Sequence, residues 1–172
     1  MSTAHPPVTV ELPVMAADVL EPLVARDLAR ASQALGHDLP EEFIADTWLW
    51  SLRLGQLIGE PDQAPWLIRA ILVRPADIVV GHAGFHGPPD ADGMVEVGYE
   101  VVPAHRRRGY ARATLAALLD YARANGARTA RASIRPDNAA SLALTASAGF
   151  ARTGEHIDEI DGRELEFERH LT

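Results

Sequence analysis

The residues best suited to chemistry lie between Val101 and Ala111, where the chain reads Val-Val-Pro-Ala-His-Arg-Arg-Arg-Gly-Tyr-Ala. An alternating strand pattern ends there and a helical pattern begins. The open N–H groups of a first helical turn and the positive helix end then face one spot. That arrangement suits an anion, a pyrophosphate in particular. Gly109 permits close backbone approach, Ala111 keeps the first turn thin, and the arginines add charge-assisted donors. Taken alone, the cluster is more simply a solvated arginine run before an ordinary helix. Two carboxylates, Glu96 and Glu100, fall on one face of the preceding strand. His82 and His86 also share a strand face, but a rise of about 3.3 Å per residue sets them about 13 Å apart. That is too far for one ion, and no metal is expected.

Several elements must position these groups. Val8, Val10 and Leu12 alternate as a short first strand. Leu20, Val24, Leu28, Ala31 and Leu35 share one helical face that Gly36 can end, and Pro40 suits the first turn of a second helix running towards Ile58. Residues 66–73, 77–85 and 94–102 read as strands. In the last of these Val95, Val97, Tyr99 and Val101 form one face, and Glu96, Gly98 and Glu100 the other. A helix over 109–125 buries Ala111, Leu115, Leu118, Leu119 and Ala122 and turns Arg112, Ala116, Asp120 and Arg123 outward. A strand over 128–134, a helix capped by Asp137 or Asn138 and ended at Gly149, and a hairpin turning at Asp161-Gly162 complete the order β-α-α-β-β-β-α-β-α-β-β. This is an α/β pattern with a central meander and late crossover helices. It contains neither Gly-x-Gly-x-x-Gly nor a Walker loop, so dinucleotide and nucleoside-triphosphate folds have little support.

Val101-x-Pro103-x-x-Arg106-x-x-Gly109-x-Ala111 resembles the coenzyme A signature of the GNAT superfamily of acetyltransferases, V-x-P-x-x-[QR]-x-x-G-x-[GA]. Asn138-Ala139-Ala140-Ser141, followed by Leu144 and Ala148-Gly149-Phe150, is similar to that family's later N-x-x-S-x-x-L…G-F helix. The two motifs in order, with the expected strand between them, carry the resemblance over residues 78–171. The resemblance implies one domain over residues 1–172 with a central mixed, mostly antiparallel sheet of six to seven strands, splayed in the middle and flanked by about four helices. It implies acetyl-CoA as cosubstrate and no metal. Val101 and Val102 would pair with the pantetheine arm. Backbone N–H groups of Arg106, Arg107, Arg108, Gly109, Tyr110 and Ala111 would hold the pyrophosphate, with Arg106 and Arg112 reaching phosphates by side chain. Asn138 and Ser141 would lie near the pantetheine or adenosine end, and Asn138 is also a natural helix cap. Val95-Glu96-Val97-Gly98-Tyr99 resembles the strand of Rim-type members, which makes Glu96 the first choice of base and Glu100 the second. A backbone N–H near Val102 would polarise the carbonyl. Where many members carry a tyrosine acid, this chain has Thr145, a poor proton donor at neutral pH.

Composition narrows the field further. Apolar residues make up 47% of the 172, which argues against disorder. With no cysteine, a covalent thioester intermediate on the protein is excluded, so group transfer must use another nucleophile or pass directly between two bound substrates; direct attack by a primary amine in a ternary complex is the natural expectation. The net charge of −8, with arginine supplying all 16 basic residues, disfavours nucleic acid and suits a cationic acceptor. Acidity that serves only solubility is the simpler reading of that charge. No apolar run is long enough for a bilayer, and residues 1–7 lack a secretory pattern, so a cytoplasmic protein without membrane contact is expected. Trp48 and Trp50 suit either an acceptor pocket or the core, and Glu41, Glu42 and Asp46 a solvated helix face. Dimers are common in the family, so a homodimer is one expectation. Two other readings stay open, a non-catalytic or regulatory acyl-CoA-binding module and an interaction protein pairing through its terminal hairpin.

Overall fold

The computed structural model describes residues 8–160 and 162–172. They form seven strands and five α-helices, and the strands lie side by side in chain order except that the seventh comes between the fifth and the sixth. The chain divides into two compact units, one running up to Gly84 with Tyr99–Ala117 added, the other comprising Phe85–Gly98 and Leu118–Thr172. No helix among the described residues is long and apolar enough to cross a membrane.

In the first unit β1 (Thr9–Glu11), β2 (Ile68–Arg74) and β3 (Ile78–Phe85) pair antiparallel. The single long helix expected over Leu20–Leu35 is broken into α1 (Ala17–Val24) and α2 (Leu28–Leu35). The cause is local. Arg26 adopts φ 60°, and the Asp27 carboxylate accepts the Arg30 N–H at 3.0 Å, so Asp27 starts a new helix instead of continuing the old one. Gly36 ends α2 at φ 80°, as its position predicted. The second predicted helix likewise begins as a 3-10 turn, Glu41–Ala45, before α3 (Thr47–Gly59). Met15, Leu20, Leu23, Phe43, Trp50 and Leu67 are at most 1% exposed and centre the core. The two tryptophans separate: Trp50 is wholly buried and donates to the Phe43 carbonyl at 2.6 Å, whereas Trp48 is 58% exposed.

In the second unit β5 (Thr129–Ile134) runs antiparallel to β7 (Gly162–His170), which pairs antiparallel with β6 (Ala151–Asp158). The first part of β4 (Met94–Val101) pairs parallel with β5, from Met94↔Thr129 to Glu96↔Arg131. β5 continues with β7 to Ile134↔Leu165. The β4–β5 register is therefore only three residue pairs long, as expected of a sheet that splays in the middle. On α4 (Tyr110–Ala124) Leu115, Leu118, Leu119 and Ala122 are buried, while Arg112, Ala116, Asp120 and Arg123 are exposed. α5 (Ala139–Ser147) is capped by Asn138, whose side chain accepts the Ser141 N–H at 3.1 Å. The predicted hairpin forms; of its turn residues, Asp161 lies outside the described residues, and Gly162 has φ 77°.

Candidate active site

The segment from Tyr99 to Ala117 belongs to the first unit, and it holds most of the predicted site. β4 ends at Val101, a short 3-10 turn covers Pro103–His105, and α4 starts at Tyr110. Ala113 is the first residue to close the helical ladder, donating to the Gly109 carbonyl at 3.1 Å. The Arg106 N–H, expected at the pyrophosphate, donates instead to the Pro103 carbonyl at 3.3 Å, which leaves the N–H groups from Arg107 onward as the open donors of the helix start. Two residues of the turn occupy the left-handed region, Arg107 at φ 59° and Gly109 at φ 82°. The glycine does so at no steric cost, whereas Arg107 is strained, and strain of this kind collects where a ligand shapes the backbone. The exposed side chains of Arg107 and Arg112 make no hydrogen bond or ion pair among the described residues, so they are available to an anion. Arg106 is committed elsewhere. Its Nε donates to the Val101 carbonyl at 2.8 Å, and its guanidinium stands 3.6 Å from Glu100. Arg108 reaches the Ala104 carbonyl at 3.3 Å.

Val102 narrows the expectation of a backbone donor near it. Its N–H donates to the Val80 carbonyl at 2.9 Å, across to β3, and is not available to polarise a substrate carbonyl. Strand alternation turns the N–H of Val101 to the opposite edge of β4.

Glu100 meets two groups that the sequence gave no reason to join to it. One ligand atom each of Asp46, His82 and Glu100 lies within 4.8 Å of the others. His82 Nε2 is 3.8 Å from Glu100 Oε2, buried, and without a hydrogen-bond partner. The His82 ring is wedged edge-on against Phe43 and Trp50, with centroids 5.6 and 5.1 Å away. Burial raises the Glu100 pKa above the ordinary carboxylate value; the Asp46 charge adds to this and Arg106 opposes it. Burial also raises the pKa of Asp46. His82 is pushed down to about 4, first by burial and then by the charge of Arg53.

The depressed His82 pKa has a stability consequence. The unfolded imidazole takes a proton near pH 6.5, the folded one only near 4. The unfolded state therefore binds the extra proton first, and stability falls as pH drops from 6.5 towards 4, by up to about 1.4 kcal/mol per pH unit. Melting temperatures measured between pH 7.5 and 5 should fall more steeply for the wild type than for His82→Phe. Parallel curves would show that His82 does not carry the loss.

Other predicted residues belong to the second unit. Glu96 is in the second unit, where its carboxylate stands 3.6 Å from His86 Nδ1. Asn138 and Ser141 are tied together in the cap of α5. Thr145 is 1% exposed, and its buried hydroxyl has no hydrogen-bond partner. Sequence reasoning missed the association of His82 and Asp46 with Glu100. Residues 46, 82 and 100 belong to no common periodic pattern, so no local signal joins them.

Comparison with known proteins agrees with this geometry. The family described as "Acetyltransferase (GNAT) domain" matches residues 17–151. The chain is 29% identical over 86 residues to a Bacillus licheniformis protein named uncharacterized N-acetyltransferase p20, covering 49% of this chain and 48% of that one. It thus spans half or less of the length of the curated relatives it matches. A ribosomal-protein-S5-alanine acetyltransferase from Vibrio fischeri has the same fold, with TM-score 0.65, 16% identity, and coverage of 99% of this chain and 97% of that one. A phosphinothricin acetyltransferase from Sinorhizobium meliloti, solved in complex with AcCoA, gives 0.63 and 22%, with coverage of 95% and 89%. With a strand-to-helix turn at the predicted place and a family match over residues 17–151, the chain belongs to the GNAT acetyltransferase family.

Proposed function

We propose that the protein is an acetyl-CoA-dependent N-acetyltransferase that passes the acetyl group directly to a primary amine in a ternary complex. The observation that carries this reading is the turn from Val101 to Ala111, with its left-handed Arg107 and Gly109 and its uncommitted Arg107 and Arg112. These groups hold the pyrophosphate, and the helix end favours its charge. The solved Sinorhizobium relative carrying AcCoA supports the same cosubstrate here.

The acceptor arrives as an ammonium, so a proton must leave before nitrogen can attack. Glu100 is the proton acceptor in this reading. It directly precedes the phosphate-binding segment, and Asp46 beside it attracts a cation. Burial brings its basicity closer to the working pH. The freed amine attacks the thioester carbonyl, the N–C bond forms, the C–S bond breaks, and the nitrogen gives its second proton to water as the amide forms. The Val101 N–H is placed to stabilise the oxyanion from the free edge of β4. With Thr145 sealed, the thiolate takes its proton from water. The test is thiol release from acetyl-CoA against a panel of primary amines. Release that depends on an amine is expected, and hydrolysis at an unchanged slow rate with every amine would contradict it.

The sealed Thr145 hydroxyl favours a second reading, an acyl-CoA-binding module without catalysis. That protein would bind CoA and release no thiol.

A further inference from the structure

We infer that Asp46, His82 and Glu100 form a binding site for one divalent transition-metal ion of the zinc class. The three come from distant points of the chain: the start of α3, the middle of β3 and the end of β4. Their ligand atoms lie within 4.8 Å of one another. His82 is the anchor. It is 8% exposed, its Nε2 has no hydrogen-bond partner, and that atom is aimed at Glu100 Oε2 from 3.8 Å. This is beyond hydrogen-bonding distance, so the buried nitrogen is left unsatisfied. Asp46 makes no side-chain capping bond to α3. A metal ion would satisfy all three.

Distances and donor types select the ion. Zinc–nitrogen and zinc–oxygen bonds of about 2.0–2.2 Å put tetrahedral ligand atoms about 3.4 Å apart. The His82–Glu100 pair, at 3.8 Å, needs to close by only about 0.4 Å. Glu100 has a half-exposed side chain, and Asp46 is partly exposed, so both carboxylates can turn inward. The imidazole ring is fixed by Phe43 and Trp50. Two carboxylates balance a doubly charged ion. The imidazole selects zinc or cobalt over magnesium and calcium, which prefer oxygen alone. Arg106, 3.6 Å from Glu100, is displaced when the ion binds. Arg53 opposes the ion by charge, but its guanidinium donates to Gln56 at 2.9 Å, and the two carboxylates outweigh it. Three protein ligands leave a fourth position to water. This inference rests on ligand geometry and not on the catalytic reading. Where that reading holds, the ion occupies Glu100 and inhibits transfer.

The test uses the full chain after dialysis against a chelator. Co2+ is followed by visible absorption and Zn2+ by calorimetry. One equivalent of each should bind, with cobalt d–d bands of low coordination number. Asp46→Asn, Glu100→Gln and His82→Ala should each weaken binding at least about tenfold. The carboxylate variants carry the test, because His82→Ala also vacates a packed position. His156→Gln removes the imidazole that stands 3.5 and 3.3 Å from Glu164 and Glu166, and should leave affinity unchanged. Absence of cobalt bands, bands that survive Asp46→Asn and Glu100→Gln, or bands lost in His156→Gln would overturn the proposal. Cobalt binding without amine-dependent thiol release would sink the catalytic reading and leave the metal site standing.

Discussion

Glu100→Gln should lower kcat by about 10²- to 10⁴-fold, the usual worth of a positioned general base. The KM for acetyl-CoA should stay nearly constant, because the amide replaces a side chain that lies outside the phosphate turn. Glutamine keeps the size of glutamate and removes both its charge and its basicity, so packing against His82 is preserved. The residual rate should rise with pH as free amine becomes available without help. Glu96→Gln provides the contrast. Glu96 makes a partly exposed pair with His86, worth at most about 1 kcal/mol, so its loss should cost no more than about fivefold. The two variants side by side decide between carboxylates that strand periodicity places on the same face. A larger loss in Glu96→Gln would move the base to that residue.

Gly81→Ala should destabilise the fold severely, although the added group is a single methyl. A Cβ at Gly81 would sit 1.9 Å from the Glu100 carbonyl oxygen and 3.0 Å from the Val101 Cα. Both are backbone atoms, which cannot swing aside. Relief requires β3 and β4 to part, at a cost at or beyond the upper end of the roughly 1–3 kcal/mol seen for overpacking. Denaturant melts should show this loss. Any folded fraction should also have lost transfer activity, since Glu100 is displaced with its strand. Gly55→Ala is the control. It lies within α3 in open space and should stabilise by about 0.5–1 kcal/mol. Equal stability of Gly81→Ala and wild type would show that the two strands do not approach as closely as described.

Much of the fold was legible in the sequence because the signals are local. The stripe of α4, the alternation of β4 and the Asn138 cap each depend on residues a few positions apart, and each appears in the structure. Breaks in apparently continuous patterns were harder. The apolar face from Leu20 to Leu35 continues across Arg26, yet one carboxylate capping bond at Asp27 divides the helix. The strand-to-helix turn proposed to hold the phosphates was legible because the switch from alternating to helical pattern marks it. The surroundings of Glu100 were not, because Asp46 and His82 arrive from segments far away in the chain. Which N–H near Val102 is already taken was not legible for a related reason. Sequence marks the strand but not which edge meets β3, and Val80 takes that donor. Thr145 could be seen as a weak acid from its type alone, while its complete burial follows only from packing.

The central claim is that the turn from Val101 to Ala111 holds coenzyme A, and calorimetric titration with CoA tests it most directly. Wild-type protein should bind one equivalent. Gly109→Val should lose at least about tenfold in affinity, since a β-branched residue at φ 82° is strained by about 1–2 kcal/mol and reshapes the open N–H groups. The substituted Cβ itself meets only Val8, at 3.9 Å, so the fold should survive, as circular dichroism would verify. No binding by the wild type, or unchanged affinity in a folded Gly109→Val protein, would contradict the account.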